Sequence, residues 1–343
     1  MLQRRAFTSV SYEYLPGFAA ACEQPYVNWT HPHPLPSDVL DPLKYTYKGE
    51  RGHCCGRSYE NTSVDTSKFY PWYLTTHGLP QEKGVVTLQH YEVFATANLS
   101  EFPPNSDGPY IVAGANRGRT YRLAAENPYH RATFWEFGIS PANAFMCGFF
   151  FLCSPNAAVV KSYSSFWEQL SEPGVLKIGI QVRLGDAVLH GHDMTASAAM
   201  RAAQPFFSCA AALEKAFATP RQKVVWYLNA DSHTLRVAAK EKYGEKLLTD
   251  TETVMRHPDC RLSGEKSCAS LAMDTLMVHS IGAMLTFSKV DYHVITHFSG
   301  FGRLPAWLSG KWDHIYEIHP GESGCNPGQP TPFSTSANNV AGV

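Results

Sequence analysis

The sequence has no excess of charge of either sign. Its 343 residues include 29 lysines and arginines against 30 aspartates and glutamates, which gives a formal net charge of −1. Such a balance produces no long-range field toward nucleic acid or a membrane surface, and it argues against both as partners. Any anion that the protein binds must therefore be held by a local arrangement of groups.

Several motifs of other protein classes are also missing. No C-x-x-C pair occurs, which argues against a zinc ribbon or a thioredoxin-type site. The fingerprint G-x-G-x-x-G is absent, which argues against a nucleotide-binding domain with unrelated chemistry, such as an oxidoreductase. No apolar run reaches the roughly 18 residues that a membrane span needs, and the nearest candidate, 142–160, is broken by Pro155. Since no signal peptide is recognisable either, we expect a soluble protein or a chain that lacks its membrane anchor.

Cysteines and glycosylation sequons favour an oxidising compartment. The chain has nine cysteines, an odd number. Two pairs have spacings short enough to close small loops: Cys147 with Cys153, and Cys260 with Cys268. Buried free thiols are the alternative interpretation. Three N-x-S/T sequons lie near the N-terminus, at Asn28, Asn61 and Asn98. Together these features favour the lumen of the secretory pathway.

The pattern of the sequence changes near residue 170. The N-terminal part, 1–170, is mostly irregular, with proline dense at 32–43 and one helical packing segment predicted at 134–152. We interpret it as a lobe that is irregular or incomplete. Residues 171–320 alternate between strand patterns and helix patterns. The predicted strands are 176–183, 224–232, 246–250, 292–296 and 312–318, and the predicted helices are 195–218, 232–244 and 270–288.

This alternation predicts an α/β domain with a parallel sheet and helices on both faces. Parallel sheets bind ligands beyond the carboxyl ends of their strands, which directs attention to the loops 183–193, 229–233 and 297–303. Residues 321–343 are rich in Gly, Pro, Ser and Asn and are predicted to be a disordered tail.

Arg183 ends the first of these strands, where a guanidinium is costly to bury unless an anion pairs with it. Its planar fork suits a phosphate and stays charged at any working pH. Asp186 can accept from Arg183 or from the backbone of the turn. The alternative is a solvated strand end with a surface ion pair.

The other two loops offer further polar groups. Ser299-Gly300-Phe301-Gly302 turns into a helical segment, which predicts a phosphate cradle of backbone N–H groups, with Phe301 against a sugar or a base. An ordinary strand-to-helix turn is the alternative. Asn229 and Asp231 are suited to ribose or base edges, or to capping the next helix, for which Ser232 is the other candidate beside Asp231.

No convincing metal site is found. His190, His192 and Asp193 form an H-G-H-D stretch, but such a pair in a glycine-rich loop is usually solvated. Asp250-Thr-Glu252 is a poor D-x-D motif for the divalent cation of a nucleotide sugar. We therefore expect Arg183 and backbone N–H groups to neutralise any bound phosphate.

Two of these stretches resemble a known family. IGIQVR at 178–183 with Asp186, followed by the turn at Asn229 and by DYHVITHFSGFGRLPAW at 291–307, resembles the carboxyl-terminal domain of GDP-fucose-dependent fucosyltransferases, over about 105–318. IGIQVR is most similar to the plant-type xyloglucan enzymes. Where other members carry H-V-R-R-G-D, this chain has Gln181 for the His, Arg183 for the first Arg and Leu184 for the second. The family's Ser-x-Phe-Gly matches Ser299, Phe301 and Gly302.

The resemblance implies a GT-B-like fold of two Rossmann-like lobes, in which the nucleotide lobe is complete and the N-terminal acceptor lobe is irregular or truncated. It implies an inverting fucosyltransferase without a cofactor or a metal, with GDP-fucose as donor. Arg183 would bind the diphosphate and stabilise the charge that develops there. The remaining donor contacts would come from Gln181, Asn229, Asp231, Ser299, Gly300, Phe301 and Gly302.

The acceptor side is less defined by the resemblance. A galactose-type hydroxyl of a cell-wall polysaccharide or glycan in the Golgi lumen is implied. Asp107 falls near the place of a plant-type carboxylate and is a candidate base beside Asp186, although a turn residue is the alternative interpretation. The family's G-x-G-N-R stretch is missing, so a catalytically inactive GDP-sugar-binding protein is the second hypothesis.

Overall fold

The structure is a computed structural model that describes residues 19–23, 124–189, 192–255 and 273–333, with three short strands between the first two ranges. The strands are β1 (Cys22–Glu23), β2 (Leu74–Thr75), β3 (Thr87–Leu88), β4 (Val112–Ala113), β5 (Ser154–Pro155), β6 (Leu176–Val182), β7 (Val224–Ala230), β8 (Leu247–Leu248), β9 (Tyr292–Thr296) and β10 (Ile315–Ile318). The helices are α1 (Arg131–Glu136), α2 (Ala144–Leu152), α3 (Ala157–Ser171), α4 (Asp186–Leu189), α5 (Ala196–Ala202), α6 (Gln204–Phe217), α7 (His233–Tyr243), α8 (Met273–Phe287) and α9 (Gly300–Leu308).

The described residues fall into two compact units that divide after Cys147. In the first unit, β3 pairs with β2 in antiparallel fashion and with β4 in parallel fashion. The second unit contains β1, β5 and all elements from α3 onward. It therefore includes α3, which the sequence interpretation placed in the N-terminal lobe.

The second unit is built on a five-stranded parallel sheet with the order β10-β9-β6-β7-β8. Within this sheet, the first strand in the sequence is the central strand β6, and the next two, β7 and β8, lie successively outward on one side. The chain then crosses back to β9 on the other side of β6 and continues outward to β10. This is a doubly wound arrangement, and the predicted α/β class with a parallel sheet is confirmed in this unit. The strands lie where the apolar runs predicted them, although most are shorter.

Both faces of the central strand are covered. On one face, Ile178, Ile180 and Val182 are fully buried in a core that includes side chains of α6 and α7. On the other face a Cβ on Gly179 would lie 2.8 Å from the ring of Phe287, so α8 packs directly on the backbone of β6. Burial on both faces explains why β6 is a nearly continuous apolar run.

Side-chain caps fix where the helices begin. Asn156 accepts hydrogen bonds from two N–H groups of α3, and Thr195 caps α5. Ser232 caps α7 by accepting from the N–H of Leu235, and Gly244 ends this helix with φ 56°. Of the two capping candidates at this position, the structure therefore uses Ser232 and leaves Asp231 for another role.

The disulfide bonds differ from the short loops that the spacing suggested. Cys22 bonds to Cys153, and Cys209 to Cys325, whereas Cys147 is free. The prediction of a Cys147–Cys153 bond is therefore wrong. Cys147 lies inside α2, and six residues of helix advance by about 9 Å, beyond the roughly 7 Å limit between bridged Cα atoms. Cys260 and Cys268 lie outside the described residues.

The prediction of a disordered tail is wrong for 321–333. Cys325 is tied to α6 by its disulfide bond. The hydroxyl of Tyr316 donates to the carbonyl of Pro327, and the N–H of Thr331 donates to the carbonyl of Ile315. These contacts anchor the segment along β10, at the edge of the sheet. Within the described parts of the chain, no helix has the length and apolar character of a membrane span.

Candidate functional site

The candidate site lies at the carboxyl ends of β6 and β9. These strands are neighbours in the sheet, and the chain leaves them in opposite directions, since β6 leads toward β7 and β9 leads toward β10. Such a switch point opens a crevice between the two loops, which is the usual ligand position in doubly wound sheets. Two of the three loops singled out in the sequence, after Val182 and after Thr296, meet there.

Hydrogen bonds tie the ends of the two strands together. The N–H of Thr296 donates to Gln181 Oε1 (3.1 Å), and the hydroxyl of Thr296 donates to the carbonyl of Gln181 (3.2 Å). The N–H of Arg183 in turn donates to that hydroxyl (2.9 Å). The backbone from which the Arg183 side chain projects is thus fixed to β9. Gln181 is almost completely buried and braces this junction.

Asp231 organises the loop that follows Arg183. Its carboxylate accepts from the N–H groups of Leu184 (2.9 Å) and Gly185 (3.1 Å). Burial raises the pKa of Asp231, while these hydrogen bonds and the positive charge of Arg183 act in the opposite direction. Gly185 has φ 120°, a conformation that side chains rarely adopt. Asp231 therefore holds the turn after β6 and lies within the electrostatic reach of Arg183.

The first turn of α9 borders the crevice from the β9 side. Ser299 is the N-cap residue, and its buried hydroxyl makes no capping bond and has no partner in the described part of the chain. A Cβ on Gly302 would lie 2.5 Å from Gln181 Oε1, so only glycine permits this contact. A Cβ on Gly300 would meet nothing within 4 Å. Gly302 thus faces the sheet and Gly300 faces open space, while Phe301 between them is half-buried.

Asn229 lies next to Gln181 in the paired register of β7 and β6. Its amide nitrogen is buried and makes no hydrogen bond to any described residue. Asn229 lines a small pocket together with Tyr163, Arg236 and Asp250, and no described residue of the loops after β6 and β9 lines this pocket. The structure therefore places it one strand away from the switch point, beside the predicted site residues.

Six residues singled out in the sequence lie outside the described set, either with their side chain alone or altogether. Asp186 is the first residue of α4, but its side chain is outside the described set. Asp107 and the sequons at Asn28, Asn61 and Asn98 also lie outside the described residues, as does His190 of the H-G-H-D stretch.

The remaining acidic candidates, Asp193 and Asp250, accept hydrogen bonds from other parts of the protein and from their own turn, respectively. Asp193 accepts from the hydroxyl of Ser232 (2.6 Å) and from the N–H of Thr234 (3.0 Å). Although burial acts to raise the pKa of Asp193, these bonds lower it. Asp250 accepts from the N–H groups of the two residues Glu252 and Thr253. Asp193 therefore ties the loop before α5 to the start of α7, whereas Asp250 stabilises its own turn.

The sequence interpretation missed one polar network beside the crevice. Arg303 on α9 forms two hydrogen bonds with the carboxylate of Glu317 on β10 (2.8 and 2.7 Å), and both side chains are 1% exposed. Nδ1 of His297 lies 2.8 Å from Oε2 of the same carboxylate. The available signal was the single Glu in the otherwise apolar strand β10.

No model of a known protein family matches the chain, and no curated protein sequence matches it. Among solved structures, the chain is similar to a variant of Arabidopsis thaliana FUT1 in complex with GDP, with 14% identity and a TM-score of 0.42 over 66% of this chain and 48% of that one. It is also similar to NodZ alpha-1,6-fucosyltransferase co-crystallized with GDP, with 14% identity and a TM-score of 0.28 over 46% of this chain and 44% of that one.

A third similar structure is fucosyltransferase NodZ from Bradyrhizobium, with 11% identity and a TM-score of 0.27 over 48% of this chain and 45% of that one. The structural neighbours are thus fucosyltransferases. The chain spans about half the length of these structures.

Proposed function

We propose that the protein is a GT-B-like fucosyltransferase that transfers fucose from GDP-fucose, with inversion and without a metal ion. The proposed acceptor is a galactose-type hydroxyl of a cell-wall polysaccharide or glycan. The observation that carries the proposal is the position of Arg183 at the carboxyl end of the central strand, at the switch point and beside the N-terminus of α9.

The donor fits these groups by charge. In the reaction the bond between fucose C1 and the β-phosphate oxygen breaks, and the acceptor oxygen forms a new bond to C1 from the opposite face. GDP leaves with the bonding electron pair, so negative charge grows on the diphosphate. In this proposal the guanidinium of Arg183 and N–H groups at the start of α9 stabilise that charge. Open space at Gly300 lets a phosphate approach that backbone.

Asp107 and Asp186 remain the proposed candidates for accepting the proton of the acceptor hydroxyl. A lumenal location is also part of the proposal. The two disulfide bonds, Cys22–Cys153 and Cys209–Cys325, favour an oxidising compartment such as the Golgi lumen, where such bonds persist.

A catalytically inactive GDP-sugar-binding protein is the second candidate. The missing G-x-G-N-R stretch of the acceptor lobe favours it. It shares the donor site with the first candidate and differs in transferring nothing.

The test is release of GDP from GDP-fucose by the purified protein, with and without xyloglucan or a galactose-ended oligosaccharide. Arg183→Ala is compared with Arg201→Ala, which removes an exposed arginine of α5. Release that needs both acceptor and Arg183 supports the transferase. GDP binding that needs Arg183 without any release supports the second candidate. If the unmodified protein does not bind GDP, both candidates are wrong.

A further inference from the structure

A buried ion pair fixes the β10 side of the candidate site. Arg303 and Glu317 are paired through two hydrogen bonds in a fork-to-fork geometry, almost fully shielded from solvent. Such bidentate pairs hold both side chains in one orientation. The carboxylate of Glu317 is therefore a rigid acceptor at the carboxyl end of β10.

His297 is attached to this pair. Its Nδ1 lies 2.8 Å from Glu317 Oε2, and its ring contacts that of His319 in a tilted arrangement, with 3.7 Å between centroids. With Nδ1 directed to the carboxylate, the ring orientation is set and Nε2 points away from it. Nε2 makes no hydrogen bond to a described residue. The imidazole thus has one anchored nitrogen and one that is available.

The position of His297 relates it to Arg183. His297 directly follows Thr296, whose hydroxyl accepts from the N–H of Arg183. Between the two side chains lies the start of α9, because Gly302 packs on Gln181 of β6 and Arg303 reaches across to β10. Arg183 therefore borders the helix N-terminus on the β6 side, and His297 borders it on the β10 side.

Two polar atoms at this end of α9 are buried and have no partner among the described residues. They are the hydroxyl of Ser299, a residue that is 4% exposed, and Nη1 of Arg303, a residue that is 1% exposed. A buried polar group without a partner is costly and is rare in folded proteins. Both groups can donate a hydrogen bond, which suits a ligand that carries several acceptor oxygens.

We propose that His297, with a proton on each ring nitrogen, is a third contact to the diphosphate of the donor: Nδ1–H donates to Glu317, and Nε2–H donates to a phosphate oxygen on the β10 side of the α9 N-terminus. Glu317 and Arg303 are positioning residues that orient the imidazole. This inference rests on the proposed function, since it concerns the same site. It assigns the two phosphates to opposite sides of the first turn of α9, one near Arg183 and one near His297.

A metal ion is the competing occupant of this cluster. Ligand atoms of His297, Glu317 and His319 lie within 4.8 Å of one another. The guanidinium of Arg303, however, already occupies both carboxylate oxygens and compensates their charge. A cation would have to compete with this buried arginine for the carboxylate, whereas an anion can accept from Nη1 of Arg303, which has no partner among the described residues.

The experiment measures the affinity of the full chain for GDP, GMP and guanosine by calorimetry. His297→Gln should bind GDP about 10- to 100-fold more weakly than the unmodified protein, because it loses one charge-assisted hydrogen bond to the phosphates. Its affinity for guanosine, which has no phosphate, should change little. His314→Gln is the matched control, because His314 lies just before β10, at the amino ends of the strands and away from the candidate site, and its Nδ1 contacts the carbonyl of Asp291. Glu317→Gln should also lower the affinity for GDP, because the ring of His297 loses the carboxylate that orients it. If Glu317→Gln does not fold, the result for His297→Gln alone tests the inference.

Three results would overturn the inference. The first is GDP binding by His297→Gln as tight as that of the unmodified protein, together with weaker binding by Arg183→Ala, which would leave the proposed function intact. Equal losses for GDP and guanosine would reduce His297 to a structural role. Stoichiometric Zn²⁺ binding that is lost in His297→Gln would assign the cluster to a metal. A failure of the unmodified protein to bind GDP would instead contradict the proposed function itself.

Discussion

Gly302 lies against the side-chain oxygen of Gln181, so the first turn of α9 rests directly on the central strand of the sheet. A Cβ at residue 302 would lie 2.5 Å from that oxygen and 3.0 Å from Cβ of Ile295. Since Gln181 Oε1 also accepts from the N–H of Thr296, it has little freedom to move aside. This contact couples the ends of β6 and β9 to the position of the helix N-terminus.

Gly302→Ala should therefore destabilise the fold by about 1–3 kcal/mol, the range for overpacking a tight contact. It should also weaken GDP binding, because α9 must shift. Urea unfolding and calorimetry measure the two effects. Gly300→Ala is the matched control for stability, since its Cβ would meet open space in the same turn. Equal stability of the two variants would contradict the packing argument.

Asp231→Ala should loosen the loop that presents Arg183. The N–H groups of Leu184 and Gly185 would lose their acceptor, at about 1–3 kcal/mol for buried donors left unpaired. Asp231→Asn keeps one acceptor oxygen and should cost less. Unfolding in urea gives the stability, and GDP affinity reports on Arg183. If GDP affinity were unchanged in Asp231→Ala, the loop would not depend on this carboxylate.

The sequence predicted the strands and their ends better than their arrangement. The apolar runs located β6, β7 and β9, and with them Arg183 and Ser299 at the carboxyl edge of the sheet. The strand order could not be predicted, because strands buried on both faces have similar patterns whatever their neighbours are. Ser232 and Asp231 were equally suited to cap α7. Their roles differ only because Asp231 accepts hydrogen bonds from the loop after β6, which leaves Ser232 as the cap.

Long-range partners account for what the sequence did not reveal. Glu317 is the single charged residue of the strand IYEI, yet Arg303 crosses from α9 and the pair is buried. The segment after β10 has a composition typical of disorder, but Cys325 finds a partner 116 residues earlier in the chain. Neither pairing leaves a local pattern, since both depend on which elements the sheet brings together.

Loss of the Cys209–Cys325 bond should be costly. Cys325→Ser frees a closed loop of 116 residues and should lower the free energy of unfolding by about 2–5 kcal/mol. Cys147→Ser is the control, because this half-buried cysteine is free. Urea unfolding under oxidising conditions compares the two variants. The 321–333 segment would not depend on the bond if both variants unfolded at the same urea concentration.

His293 should make the protein sensitive to mild acid. Its ring is completely buried and packs edge-on against Phe287, and both ring nitrogens lack partners among the described residues. Burial, with a smaller effect from the charge of Lys311, lowers the pKa of His293 to about 3 from 6.5. The folded state therefore keeps this histidine neutral, while the unfolded state takes up a proton as the pH falls below 6.5.

The stability that depends on neutral His293 is thus fully present above pH 6.5 and is lost as the pH falls from there toward 3. One extra proton on the unfolded chain corresponds to about 1.4 kcal/mol per pH unit. In His293→Leu this contribution disappears, so unfolding free energies measured in urea between pH 7 and pH 4 should fall less steeply by about that slope. The comparison uses slopes rather than absolute values, because leucine also changes the packing against Phe287. Parallel slopes in the two proteins would mean that the buried imidazole does not drive the acid sensitivity.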